Sequence, residues 1–275
     1  HEYHNEKQIV KIRYNKNTYK FETNLIGKIQ IKNILMAMMA ATKSSLSFKK
    51  IINTIDNLKP VSGRLEQIGI IKNNSKVILD YAHTPDALEA SLKSLNEQFK
   101  NKQISIVFGC GGDRDKAKRQ MMGRIANQYC NKIYLTDDNP RYENPKKIRT
   151  SIKKNINKSK IYEISNRANA IKKAIFDLKT GDILIVAGKG HEKIQEYKKT
   201  TKLFSDHQQI LKNIIIKNKT LSSNPKLNIL KELSNSSNIS SKLQIKNGSI
   251  NSKEIKPNDV FFAIKGKNKD GNLFV

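Results

Sequence analysis

Four short stretches of the sequence place glycine, charge and amide groups at the end of an apolar run. They are Asp80-Tyr81-Ala82-His83-Thr84-Pro85-Asp86, Gly109-Cys110-Gly111-Gly112-Asp113-Arg114-Asp115, Asp137-Asp138-Asn139-Pro140-Arg141 and Gly188-Lys189-Gly190-His191-Glu192. Glycines after a strand let a ligand approach the backbone, whose N–H groups bind anions. Arg114 between two carboxylates suits a zwitterion, and Arg141 after a turn-fixing proline offers a planar fork for a carboxylate. Glu192 could hold an ammonium group. Each stretch alone has an ordinary explanation: Thr84 or Asp86 as a helix cap, Arg141 on a solvated turn, His191 as a structural side chain. Together they form a candidate ligand site. Cys110 and Cys130 stand 20 positions apart with no CxxC or HxxxH, which argues against zinc, and no GxxxxGK[ST] phosphate loop occurs.

The elements that must position these residues alternate. VILDYA, ISIVFGC, KIYLTDD and DILIVAG read as short buried strands, and ALEASLKSLNEQF, MMGRIANQYC and NRANAIKKAIFDL between them as amphipathic helices. The alternation predicts an α/β fold with a Rossmann-like, doubly wound, mostly parallel sheet, its ligands gathered at the carboxyl ends of the strands. Upstream, residues 1–24 alternate apolar and polar positions as a strand hairpin does, and residues 31–59 carry helical spacing over two helices. Pro60 and Gly63 mark a break. Residues 217–227 are polar and read as a linker, and a new short-strand pattern follows from residue 228. The expected division is 1–62, 63–216, linker 217–227 and 228–275, with both ends of the chain cutting across a pattern as in a fragment.

The chain has 275 residues, enough for about two domains. Its 37% hydrophobic and 28% charged content lies between a dense globular composition and a disordered one, and the runs IVFGC and DILIVAG, each able to line a buried core, argue against wholesale disorder. No run is long and apolar enough for a membrane-spanning helix, and there is no signal-peptide pattern. Two cysteines cannot build a disulfide framework, so a reduced, cytoplasmic protein is expected. The net charge of +28 raises nucleic-acid binding as an alternative. Against it, the 44 lysines and 8 arginines are scattered without interleaved aromatics, as AT-rich coding would give. A dinucleotide oxidoreductase is disfavoured because GCGGDRD follows an interior strand and lacks GxGxxG spacing.

DYAHTPDALE, VFGCGGDRDKAKR, TDDNPR and AGKGHE, in this order and spacing, resemble the C-terminal domain of the Mur ligase family, and within it the ligases that take meso-diaminopimelate. LIGKIQIKNILMAMMAA and VSGRLE resemble the end of that family's central ATPase domain and its junction. The resemblance covers roughly residues 22–216. GSINSKEIKPNDVFFAIKGKNKDGNLFV is similar to the opening of the N-terminal, UDP-sugar-binding α/β domain of the ligase that adds D-alanyl-D-alanine. The chain thus reads as a piece of a fusion of two ligases.

The resemblance implies peptidoglycan precursor synthesis. ATP phosphorylates the carboxylate of UDP-N-acetylmuramoyl-L-alanyl-D-glutamate, and the amine of meso-diaminopimelate attacks the acyl phosphate to form an amide. It assigns Arg114, Asp138, Asn139, Pro140, Arg141, Gly188 and Glu192 to diaminopimelate, Asn33, Arg64 and Asp80 to the nucleotide, and Ser252 to the UDP-sugar of the second ligase. Gln30 and Ser62 stand where the family has Asn and Pro, and Asn251 and Lys253 where it has Asp and Arg. The phosphate loop, the Mg²⁺ ligands and the carbamylated lysine are expected upstream of His1. No catalytic residue is therefore expected within the chain, and the isolated chain is expected to be inactive.

Overall fold

The structure, a computed structural model, describes residues 1–4, 6–198, 200–223, 248–249 and 260–261. The chain divides into two compact units, His1–Asn218 and Lys219–Val275.

The first unit begins with three antiparallel strands, β1 (Glu2–His4), β2 (Lys7–Tyr14) and β3 (Asn17–Thr23). Against them lie α1 (Lys28–Lys43), α2 (Phe48–Ile52) and a 3-10 turn, Ile55–Asn57. The expected hairpin and two helices are thus present, with β1 as an added strand. Period-2 apolar positions of the strands and period-3.6 positions of α1 meet in one cluster that includes Val10, Phe21, Ile31, Ile34 and Met38.

The larger part is a six-stranded sheet. Its strands are β4 (Glu66–Ile70), β5 (Lys76–Asp80), β6 (Ile104–Phe108), β7 (Lys132–Leu135), β8 (Ile161–Glu163) and β9 (Ile183–Ala187), in the order β4-β5-β9-β6-β7-β8. Only β4 runs antiparallel to its neighbour; β5, β9, β6, β7 and β8 are parallel. Helices α3 (Pro85–Gln98), α4 (Ala117–Tyr129) and α5 (Pro145–Lys153) cover one face, where Ile78, Ile106, Ile133 and Ile185 join Leu92, Met122 and Ile152 in a single core. Helix α6 (Arg167–Phe176) packs on β6, β7 and β9. The alternate strand positions Val107, Tyr134 and Val186 are fully buried there, and the Tyr134 hydroxyl donates to Asp177 at 2.8 Å, at the end of α6. Burial on both faces explains why these strands read as continuous apolar runs.

Helix starts follow the local chemistry. The Thr84 hydroxyl accepts from Ala87 N, Asn144 from Lys146 N and Asn166 from Asn169 N, with Pro85 and Pro145 in the first turns. Strands β10 (Ile194–Tyr197) and β11 (Thr200–Leu203) form a hairpin, and α7 (Asp206–Ser223) follows. The residues expected to open a linker at 217 are helical through Ser223, because the register of Ile210, Asn213 and Ile214 continues into the buried Lys217.

The first unit also joins its two hydrophobic clusters across the break expected at residue 62. Gln98 Nε2 donates to Glu6 O at 2.7 Å, and Gly27 N donates to Gln98 Oε1 at 3.1 Å. In the second unit Gly248–Ser249 (β12) pairs in parallel with Val260–Phe261 (β13). Ser252, Asn251 and Lys253 lie outside the described residues.

Candidate functional site

The carboxyl ends of β5, β6, β7 and β9 open into one cavity of about 670 Å³. The chain takes β6, β7 and β8 to one side of β9 and has β5 on the other, so the cavity lies where the winding reverses. Arg114, Asp138, Asn139, Arg141, Gly188 and Glu192 all line it, joined by Thr84, Lys118 and Met121. Pro140 is not at the cavity; its carbonyl is packed against Gly112 instead.

Two turns form one wall. Gly112 N donates to Asn139 O at 2.8 Å, and Arg141 Nη1 donates to Gly112 O at 3.0 Å. A Cβ on Gly112 would lie 1.8 Å from the Pro140 carbonyl oxygen, so only glycine permits this approach. Glu143 fastens the turns further: it accepts from Asp113 N at 2.7 Å and from both terminal nitrogens of Arg119, at 2.7 and 3.0 Å. The Arg119 guanidinium holds the Glu143 carboxyl down to about 2. Asp113 accepts from Tyr142 N and Asp115 from Ala117 N, each through one carboxylate oxygen, while Arg114 Nη1 donates to Asp113 O at 3.1 Å and its other nitrogens remain for a ligand in the cavity.

Arg141 departs from the expected carboxylate fork. Its Nε pairs with Glu196 at 2.9 Å and its Nη1 is held by Gly112, which leaves Nη2 as the free donor. Its backbone sits at φ 50°, fixed on both sides by Arg141 N to Glu196 O and Lys198 N to Arg141 O.

The cavity floor is a buried polar network. The ammonium of Lys189, fully buried, donates to Asn139 Oδ1 and Glu192 Oε2, each at 2.9 Å, and Asn139 Nδ2 donates to the same carboxylate oxygen at 3.1 Å. Oε1 of Glu192 stays unpaired, and the side chain is 29% exposed, so it can accept a ligand ammonium. Asp138 differs. Its Oδ1 accepts from Asn139 N at 2.8 Å, while Oδ2 is buried without a partner. Burial pushes the Asp138 carboxyl up, and Arg167 and Lys189 pull against that rise. Cys110, nearby and buried, has its thiol pushed up to about 12 by desolvation, which leaves it an inert packing group.

A second cavity of about 450 Å³ lies between α1, the turn before β4, and α3. Gln30, Asn33, Arg64 and Asp80 line it beside Ile29, Ala82 and Ala87, so the three residues expected at a nucleotide do meet. Both Asp80 oxygens are engaged, Oδ1 with Leu65 N at 3.2 Å and Oδ2 with the Ser91 hydroxyl at 2.5 Å. Asp80 therefore anchors the turn that presents Arg64. The Arg64 guanidinium lies 4.6 Å from the centre of the Tyr81 ring. Tyr81 lines the larger cavity, so this stacked pair stands between the two.

Sequence reasoning missed Arg119, Lys189 and Arg167 as parts of this site. Arg119 shares a helical face with Met122 and Ala126, and Arg167 with Ala170, Ile171 and Ala174, all buried. A cation on an apolar face is the readable signal.

A doubly wound α/β domain with a mixed-charge pocket at its switch point is the class the geometry defines. Residues 63–190 match the family model of the Mur ligase, glutamate ligase domain. The chain is 46% identical over 189 residues to UDP-N-acetylmuramoyl-L-alanyl-D-glutamate–2,6-diaminopimelate ligase of Rickettsia conorii, covering 68% of this chain and 39% of that protein. It is 41% identical over 211 residues to the protein of the same name from Rhizobium meliloti, covering 77% and 43%. A solved structure of a ligase of that name superposes with a TM-score of 0.60 at 34% identity, over 76% of this chain and 42% of the other. Residues 63–190 are a Mur ligase C-terminal domain. The chain spans about two fifths of the length of the curated relatives it matches.

Proposed function

We propose that this chain carries the amino-acid site of an ATP-dependent ligase that adds meso-diaminopimelate to UDP-N-acetylmuramoyl-L-alanyl-D-glutamate. The observation that carries the reading is the charge pattern of the larger cavity: two guanidinium groups, Arg114 and Arg141 with its free Nη2, line the same cavity as Glu192, whose Oε1 is open. The distal end of diaminopimelate is itself an ammonium beside a carboxylate. Lysine would present the ammonium without the carboxylate and leave a guanidinium unmatched. The names of the relatives support the same amino acid.

In this reaction the glutamyl carboxylate attacks the terminal phosphorus of ATP, giving an acyl phosphate and ADP. The free amine of diaminopimelate then attacks the acyl carbon, phosphate leaves, and the nitrogen loses a proton. The residues of this domain hold the nucleophile: Glu192 and the guanidinium groups fix the distal end, so the other amine projects from the cavity toward the acyl carbon. Asn33, Gln30 and Arg64 serve the nucleotide in the smaller cavity, whose alanine and isoleucine wall suits a base. Among the described residues no group of three or more His, Cys, Asp or Glu is placed to hold a metal. Cytoplasmic location follows from the nature of the proposed substrates, and no described helix is long and apolar enough to cross a membrane. The reading of residues 228–275 as the start of a second, D-alanyl-D-alanine-adding ligase, with Ser252 at its UDP-sugar, rests on sequence resemblance alone.

Calorimetric titration with meso-diaminopimelate and with L-lysine tests the proposal. The chain is expected to bind the first and not the second, and Glu192→Gln to weaken the first. Equal binding of both amino acids would refute the assignment.

A further inference from the structure

Beneath the cavity floor, Arg167 belongs to a second buried layer of charge that touches no ligand position. Arg167, at the first position of α6, is 1% exposed and Asp206, at the start of α7, is fully buried. They form a fork-to-fork pair: Arg167 Nε donates to Asp206 Oδ1 at 2.8 Å and Nη2 to Oδ2 at 2.7 Å. Arg167 Nη2 also donates to Ala187 O at 2.8 Å, at the last residue of β9 before the Gly188 turn. Nη1 is left over. It is buried and has no hydrogen-bond partner, and 3.9 Å away lies Asp138 Oδ2, the other buried polar atom of the floor without one.

Two unpaired, oppositely charged, buried groups facing each other are costly as isolated atoms and make sense only as a pair. No closer approach forms because Asp138 is tied above. Its Oδ1 receives Asn139 N, its backbone carbonyl receives Gln195 Nε2 at 2.7 Å, and the Gly188 backbone leaves no room for a Cβ beside Oδ2. Asn139 in turn carries Lys189 and Glu192. A continuous line runs from Asp206 through Arg167 and Asp138 to Asn139 and the ligand-facing Glu192.

We propose that Arg167 is a positioning residue of the amino-acid site: standing opposite Asp138, it favours the ionised carboxylate and holds it turned inward beneath Asn139, so that the floor keeps its shape and its attraction for a substrate ammonium. The ligand half of this inference rests on the diaminopimelate reading; the electrostatic half does not. The charged groups facing Asp138 are Arg167, Lys189, Glu192 and Asp206, of which the two cations favour its ionised form and the two carboxylates oppose it. Deleting the pair and deleting only Asp206 should therefore act in opposite directions.

The test uses the full chain labelled with ¹³C at aspartate carboxyl carbons, the Asp138 signal being identified with Asp138→Asn. Arg167→Met/Asp206→Leu replaces the buried pair with apolar side chains of similar size, an exchange that buried ion pairs commonly tolerate. Its Asp138 midpoint is expected to rise, Arg167→Lys to restore part of the wild-type midpoint, and Asp206→Asn to lower it. In calorimetry the double variant is expected to bind meso-diaminopimelate more weakly than wild type below its own Asp138 midpoint and to regain affinity as pH rises through that midpoint. An Asp138 midpoint that stays put in the folded double variant, or moves the same way in Asp206→Asn, overturns the inference. If wild type binds no meso-diaminopimelate at any pH, the substrate reading falls, and the carboxyl midpoints still decide whether Arg167 sets the charge of Asp138.

Discussion

Replacing Gly112 with alanine should unlock the wall of the amino-acid cavity. The new methyl carbon would stand 1.8 Å from Pro140 O and 2.7 Å from Pro140 C, backbone atoms that cannot swing aside. Relief requires the two turns to part by more than about 1 Å, since carbon and oxygen in contact stand about 3 Å or more apart. That displacement breaks the 2.8 Å bond from Gly112 N to Asn139 O and the 3.0 Å bond from Arg141 Nη1 to Gly112 O. A neutral hydrogen bond contributes about 1 kcal/mol and one to a charged group about 1.5–3 kcal/mol, so the loss is about 2.5–4 kcal/mol. Gly181→Ala is the comparison. There φ is +78°, but the nearest atom is the tip of Lys102, 3.1 Å away and free to move, so the cost is the left-handed backbone alone, about 1–2 kcal/mol. Urea unfolding followed by circular dichroism measures both. If Gly112→Ala is no more destabilising than Gly181→Ala, the tight apposition of the two turns is wrong.

Arg141→Ala should weaken binding of meso-diaminopimelate by about 1.5–3 kcal/mol, the worth of one charge-assisted contact through Nη2; unchanged affinity in calorimetry would remove Arg141 from the site. Glu143 should make the wild type sensitive to acid. Its folded carboxyl titrates at about 2, below the usual glutamate value, so the stability it contributes is present above the ordinary range and is lost as pH falls from there through about 2. Urea unfolding between pH 5 and 2 should show that loss in wild type and a flatter profile in Glu143→Gln; parallel profiles would mean that Arg119 does not hold Glu143 as the geometry requires.

Strands β5, β6, β7 and β9 were legible because they are buried on both faces and read as unbroken apolar runs, as Ile104–Phe108 and Ile183–Ala187 do. Strand β4 escaped because it lies at the sheet edge with a glycine and a half-exposed pattern, and β8 because it is only Ile161–Glu163. Helix α5 shows two buried isoleucines, Ile148 and Ile152, in a lysine-rich stretch, though the Asn144-Pro145 start was there to be read. The polar end of α7 imitates a linker because its outward face is solvated while Lys217 reaches inward to the carbonyls of Ile175 and Leu178. At the site, ligand-facing groups follow the strands and announce themselves by type. Lys189, Arg119 and Arg167 work from beneath, and their partners Asn139, Glu143 and Asp206 are 50, 24 and 39 positions away, a separation that spacing does not reveal. The same blindness concealed that Glu196 and Gly112 occupy two of the three nitrogens of Arg141.

Crystals of the chain soaked with meso-diaminopimelate test the central claim most directly. The account expects the amino acid in the 670 Å³ cavity, its distal ammonium on Glu192 Oε1 and its distal carboxylate on Arg114 and Arg141 Nη2, with the other amine free at the mouth. Density for it in the 450 Å³ cavity beside Arg64, or in neither cavity at saturating concentration, would contradict the account.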